Sequence, residues 1–188
     1  MASIDASTSG AGGIITTADN TGTLNIQSGG TTIATVASTG FSSKGVANGS
    51  DASAGYIGEY VVSTVASPGT TLSGSTAVDL TTISLTAGDW DVTGSVYYTG
   101  SGTTSTLNWI MGHIQSSASG GSLGAGNSAM LIQTIINNGI WTQTDTGGVL
   151  GPYRFSLSST TTLYLVSRAG YSGGTVKTYG QIRARRVR

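Results

Sequence analysis

At 188 residues and with no cysteine, the chain has room for one domain plus an extension, but for neither a disulfide framework nor a thiolate metal site. Its formal net charge is zero and only 9% of its residues are charged, which argues against nucleic acid as the main partner, because phosphate binding needs a field of Lys and Arg. Nearly half of the chain is Gly (30), Ser (27) or Thr (30), a composition that suits an all-β protein ordered by backbone ladders in a structural or adhesive role and not a cytosolic enzyme.

The N-terminus, Met1-Ala2-Ser3-Ile4-Asp5, places no positive charge before an apolar stretch and does not read as a secretory signal. No apolar run approaches the roughly 20 residues that span a bilayer, so membrane insertion is not expected. Residues 1–55 hold one aromatic, Phe41, and four charges, Asp5, Asp19, Lys44 and Asp51. Their apolar segments are short: Gly13-Ile14-Ile15, Leu24-Asn25-Ile26 and Ile33-Ala34-Thr35-Val36. Turn signals at Asp19-Asn20-Thr21-Gly22, Ser28-Gly29-Gly30 and Ser38-Thr39-Gly40 separate them. Such a segment cannot bury enough apolar area to fold alone. It is either a disordered arm or a set of strands that pairs with copies of itself, and the regular strand–turn rhythm favours the second.

Residues 56–188 are richer in large apolar residues. Candidate strands run over 56–65, 77–85, 89–98, 104–115, 129–137, 140–144, 153–157, 161–168 and 175–184. Turn signals stand at Ser67-Pro68-Gly69, Ala87-Gly88-Asp89, Asn137-Asn138-Gly139 and Gly147-Gly148. The clearest strand has Trp90, Val92, Val96 and Tyr98 on one face and Asp91, Thr93 and Ser95 on the other, the period-two pattern of a strand with one buried side. Eight or nine such strands, with no helical period, predict a β-sandwich or jelly roll. The expected fold is therefore all-β: a short N-terminal attachment and trimerisation segment, 1–55, then a jelly-roll head, 56–188.

Two segments carry a resemblance. Residues 17–32, Thr-Ala-Asp-Asn-Thr-Gly-Thr-Leu-Asn-Ile-Gln-Ser-Gly-Gly-Thr-Thr, look like the Gly/Thr-rich stretches of phage tail-fibre and other virion appendage proteins. Residues 83–96, Ile-Ser-Leu-Thr-Ala-Gly-Asp-Trp-Asp-Val-Thr-Gly-Ser-Val, resemble the strand, Gly turn, aromatic, alternating-strand pattern of phage fibre heads and of complement-type and tumour-necrosis-factor-like heads. The resemblance implies a homotrimeric bacteriophage virion protein, exposed on the particle, with 1–55 as its stalk or anchor. The short stalk and the lack of a heptad coiled coil point to a compact fibre, tip or capsid decoration. Other virion proteins and a host surface glycan are the implied partners; no cofactor is.

His113, the only histidine, is placed on one strand face with Leu107, Trp109 and Met111. It reads as a packing residue; three copies meeting on a trimer axis would be the route to a metal site, and no metal site is otherwise expected. No Gly-x-Ser-x-Gly elbow marks a hydrolase. Asp89 and Asp91 flank Trp90 on one polar face. They read as a solvated strand start, with a sugar-processing carboxylate pair as the alternative. Residues 120–127, Gly-Gly-Ser-Leu-Gly-Ala-Gly-Asn, precede a strand and not a helix, so they read as a flexible apical loop and not a phosphate cradle.

Core packing is expected to claim Trp90 and Trp109, while Tyr97 and Tyr98 are further stacking candidates. Leu123 and Asn127 of the loop, with Trp141 and Tyr171 beside turns, are the expected surface-recognition residues. Ile14, Ile26, Ile33 and Val36 are the expected apolar contacts between copies. At the C-terminus, Arg183 and Arg185 alternate with Ile182 and Ala184, which points to a strand with its Arg side chains at a subunit or virion interface.

Overall fold

The computed structural model describes residues 22–45, 48–101, 106–119, 129–135 and 145–188. The chain divides into two compact units, Met1–Ser50 and Asp51–Arg188. All regular structure among the described residues is β, in three antiparallel sheets.

The first unit is a three-stranded meander of β1 (Leu24–Ser28), β2 (Thr31–Ala37) and β3 (Gly40–Ser43). Its turns fall at Gly29-Gly30, where both glycines have positive φ, and at Ser38-Thr39. β3 was hidden in the sequence because Gly40 reads as punctuation and only Phe41 follows it as an apolar residue. In register, Leu24 stands opposite Val36 and Val36 opposite Phe41, while Ile26 stands opposite Ala34. These residues share one face. Asn25, Thr35 and Ser42 share the other, where the Thr35 hydroxyl donates to the Asn25 side-chain oxygen at 3.1 Å. None of the residues in these strands is buried.

Among its described residues the second unit holds eight strands: β4 (Tyr60–Thr71), β5 (Val78–Leu85), β6 (Gly88–Ser101), β7 (Thr106–Gln115), β8 (Ala129–Ile135), β9 (Thr146–Leu157), β10 (Thr161–Ser172) and β11 (Thr175–Arg186); the expected strand 140–144 lies outside the described residues. They form two sheets in the orders β4-β11-β6-β9 and β5-β10-β7-β8. Counted within this unit, the orders are 1-8-3-6 and 2-7-4-5, the double Greek key of a jelly roll. The chain crosses from one sheet to the other at nearly every turn, so consecutive strands pack face to face.

The core lies between the sheets. One supplies Leu80, Ile83, Leu85, Leu107, Ile110, Ile114, Leu163, Leu165 and Ala169; the other supplies Trp90, Val92, Val96, Tyr98, Leu150, Phe155, Val176, Ile182 and Ala184. Gly94 and Gly112 let the layers approach: a Cβ on Gly94 would stand 3.1 to 3.3 Å from the methyls of Leu165, Ile114 and Leu150. A polar strut crosses the core at Tyr98. Its hydroxyl donates to the Met111 carbonyl at 2.7 Å and accepts from Ser167 Oγ at 2.9 Å, and Ser167 also meets Thr178 Oγ1 at 2.8 Å. Buried groups keep their polarity only when they are bonded in this way, and burial pushes the Tyr98 phenol up to about 12.

Two expected turns are strand interior instead. Ser67-Pro68-Gly69 lies within β4, where a register shift opposite Thr178/Gly180 absorbs it. β4 is an edge strand, where a missing N–H costs no ladder bond. Gly147-Gly148 lies within β9, paired with Val96 and Tyr97.

Candidate binding surface

β11 alternates without a fault. Val176, Thr178, Gly180, Ile182, Ala184 and Arg186 are buried, and Thr175, Lys177, Tyr179, Gln181, Arg183 and Arg185 face outward. β6 runs beside it with Tyr97 opposite Tyr179, Ser95 opposite Gln181, Thr99 opposite Lys177 and Thr93 opposite Arg183. The Tyr97 and Tyr179 rings stack at 5.4 Å between centroids and 21° between planes. Gly147 makes this possible from the far side: a Cβ there would stand 2.7 Å from a Tyr97 ring carbon. Asp145, which immediately precedes β9, stands across β6 from Tyr179. Partial desolvation, then the Asp145 carboxylate, raise the Tyr179 phenol above its ordinary value. Further along the face Arg183 Nε donates to Thr93 Oγ1 at 2.8 Å. The face thus has an aromatic step at one end and guanidinium groups at the other.

Asp89 marks the arginine-rich end. It is buried and held by Arg154 at 2.9 Å, by Arg188 and by the Ser156 hydroxyl. The Ser156, Arg188 and Arg154 bonds, in that order, hold its carboxyl far below the usual carboxylate range. A depression of about 380 Å³ lies over it, lined by Gly88, Asp89, Ser156, Leu157, Ser158 and Arg188. A carboxylate fixed in its charged form by three donors cannot serve as a general acid near neutral pH, since that role needs a raised pKa. Asp91, on the same strand face, is exposed and stands opposite both Arg185 and Arg154.

One functional-looking arginine escaped the sequence reading. Arg186 shares the parity of Ile182 and Ala184 and is therefore directed inward. Its Nε donates to Glu59 at 2.9 Å, its Nη1 to the Ala87 carbonyl at 2.8 Å and its Nη2 to the Thr86 hydroxyl, and the guanidinium lies 4.3 Å from the Trp90 ring centroid. Glu59 in turn accepts from the Gly55 N–H at 2.7 Å. The group ties the C-terminal strand to the entry of the head and to the β5–β6 turn. Strict alternation from Ile182 was the signal that could have found it.

Of the expected recognition residues, Leu123, Asn127 and Trp141 lie outside the described residues, as does Ile14 among the expected contacts. Tyr171 is half-buried against the core. Its hydroxyl donates to the Leu72 carbonyl at 2.7 Å and accepts from Gly74 N at 3.3 Å, so it braces the β4–β5 turn. Ile26, Ile33 and Val36 are exposed by 45%, 42% and 42%, and the neighbouring Phe41 by 67%. Arg183 and Arg185 are exposed on the outer face of β11, with Ile182 and Ala184 buried beneath.

Trp90 is fully buried, its indole N–H on the Thr86 carbonyl at 2.9 Å. Trp109 departs from expectation. It is half-buried on the outer face of the other sheet, under the Arg168 guanidinium at 5.4 Å, on ground left clear by Gly170. His113 shares that outer face with Trp109 and Met111, whereas Leu107 points into the core. A register shift between Gly170 and Tyr171, opposite this part of β7, reverses the parity. His113 is buried, and its Nδ1 has no partner among the described residues. Burial lowers its pKa, with a bond to Gln115 acting the other way. The chain after β7 turns back over β10 here, because Ser119 N donates at 3.0 Å to Asp79 on β5, the strand beyond it. No group of three or more His, Cys, Asp or Glu with metal-binding geometry occurs among the described residues.

No protein-family model matches the chain, and no curated protein does. Among solved structures it is similar to a chain in the structure of infectious bursal disease virus Gt strain, at 15% identity and a TM-score of 0.33, over 66% of this chain and 30% of that one. The chain therefore spans less than a third of the length of the chain it matches.

Proposed function

We propose that this chain is a non-enzymatic structural protein of a bacteriophage particle, a homotrimeric short fibre or decoration. Its N-terminal segment mounts it on the virion, and its jelly-roll head faces outward and adheres to the host surface. One observation supports this reading above the others: the β1–β3 sheet has an apolar face of Leu24, Ile26, Val36 and Phe41 that the described residues leave uncovered. Closing that face against further copies would bury apolar area the single chain cannot hide, and a closed symmetric oligomer would satisfy every copy equally. Several weakly binding heads on one particle would then adhere by avidity. The immobilised Asp89 favours adhesion over sugar hydrolysis. In this reading the partners are copies of the chain, other virion proteins and a surface glycan, with no nucleic acid, cofactor or membrane insertion.

Gold-labelled antibody against residues 56–188 on purified particles tests the placement. Label across the capsid supports decoration, label confined to the tail tip supports a dedicated receptor-binding protein, and particles without label overturn the reading. Sedimentation tests the assembly: a folded monomer at micromolar concentration would remove the trimer.

A further inference from the structure

The outer face of β4-β11-β6-β9 differs from the rest of the molecule in charge. Five cationic side chains (Lys177, Arg183, Arg185, Arg154 and Arg188) stand there against three acidic ones (Asp89, Asp91 and Asp145), in a chain whose formal net charge is zero. Arg154 and Arg188 together outweigh the one carboxylate they hold. The Tyr97–Tyr179 stack lies on the same face, with Tyr97 36% exposed and Gln181 and Ser95 beside it.

From this arrangement we infer that the outer face of β11 binds an extended acidic saccharide, with one sugar ring on the tyrosine step and carboxylates over the arginines. The inference rests on the adhesive reading above and names the ligand class and the residues of contact. The chemistry is as follows. A phenol ring has an apolar face and a polar rim, so it can cover the C–H side of a sugar while Gln181, Ser95 and Lys177 address its hydroxyls. The Tyr97–Tyr179 stack braces each ring against the other before any ligand arrives, which lowers the ordering cost of binding. Along a strand, outward residues recur roughly every 6.6 Å, so Arg183 and Arg185 lie about 13 and 20 Å from Tyr179, within reach of a saccharide of a few units. Planar guanidinium forks match carboxylates by paired hydrogen bonds. A protein partner would be expected to meet a continuous apolar centre, whereas the exposed Val149, opposite Ser95, and Val62, opposite Arg183, stand on separate outer strands of this face with polar and charged residues between them.

The test uses the full chain with two probes of equal length, an oligogalacturonate and a neutral malto-oligosaccharide, in titration calorimetry. The acidic probe should bind at least tenfold more tightly, and its affinity should fall as salt rises. Tyr179→Ala and Tyr97→Ala should each weaken it at least tenfold with an unchanged β circular-dichroism spectrum. Arg183→Gln with Arg185→Gln should erase the preference for the acidic probe. Tyr179→Phe, which keeps the ring and loses the hydroxyl, should fall between wild type and alanine. Any of three results overturns the inference: no binding of either probe, equal binding of both, or binding untouched by the tyrosine variants. A change of sedimentation state in the arginine or tyrosine variants also overturns it, because the face would then be occupied by another copy. None of these results depends on where the protein sits on a particle, so labelled particles with a failed titration would leave the virion reading standing.

Discussion

The two units of this chain are built from the same kind of strand, yet among the described residues only one has an interior. In the head, alternation places Trp90, Val92, Leu163, Leu165 and Ile182 at zero exposure, because a second sheet faces the first. In the β1–β3 meander, alternation again gathers Leu24, Ile26, Val36 and Phe41 on one face, but they remain 42% to 67% exposed. Strand patterning decides which side chains share a face; burial needs a facing layer. The head brings both of its layers, whereas the described residues of the N-terminal unit form a single one.

This comparison can be broken most directly at Arg186. Arg186→Ala would leave the buried Glu59 carboxylate without its partner and uncover Trp90, at a cost of about 3–5 kcal/mol to the head in urea denaturation. Leu165→Ala, in the middle of the core, should cost about 2–5 kcal/mol by the same measurement. Neither change should disturb association through the N-terminal sheet. Val36→Asp or Phe41→Ser should do the reverse, leaving the head's denaturation midpoint within error of wild type while lowering the sedimenting mass. If both variants sediment as wild type, the N-terminal sheet is not where copies meet.

Two smaller effects sharpen the electrostatic side. Asp89 has a folded pKa below its unfolded value, so its contribution is present above about pH 4 and is lost as pH falls through the folded value. Asp89→Asn should lower stability at pH 7 and flatten the acid limb of a stability–pH curve. His113 also has a lowered folded pKa, but here the charged form is the disfavoured one. The unfolded chain takes up the proton first, so head stability should decline as pH drops below about 6.5. His113→Leu should remove that slope, which thermal melts between pH 5 and 7 can resolve.

Much of the head was legible because its strands obey a period of two over long stretches. Trp90 to Tyr98 is such a case, and its buried set came out as the alternation required. The departures arise where one local irregularity reverses parity. The shift opposite Gly170/Tyr171 falls at Asn108, the residue of β7 skipped in the pairing, and it sends Leu107 inward and leaves Trp109 and His113 outside. Glycine misled in a second way. Gly147 reads as a turn residue, but it lies in an edge strand, where its missing side chain makes room for the Tyr97 ring. The tyrosine step depends on pairing between strands 82 residues apart (Tyr97 and Tyr179), which no local pattern contains. Tyr171 looked like a surface residue because it adjoins a Gly-rich turn, yet its partner is the β4–β5 turn on the far side of the sequence.

The position of β11 has a consequence for how the molecule is manufactured. Of the eight strands in the head it is the last in chain order, yet it lies between β4 and β6 and bonds to both. While a ribosome is still delivering the earlier strands, β4 and β6 have a strand-wide gap between them, with unpaired backbone along the inner edge of each. Only when Arg186 emerges can that gap close and the Glu59 latch engage. A chain cut short anywhere before β11 would therefore lack the strand that joins β4 to β6.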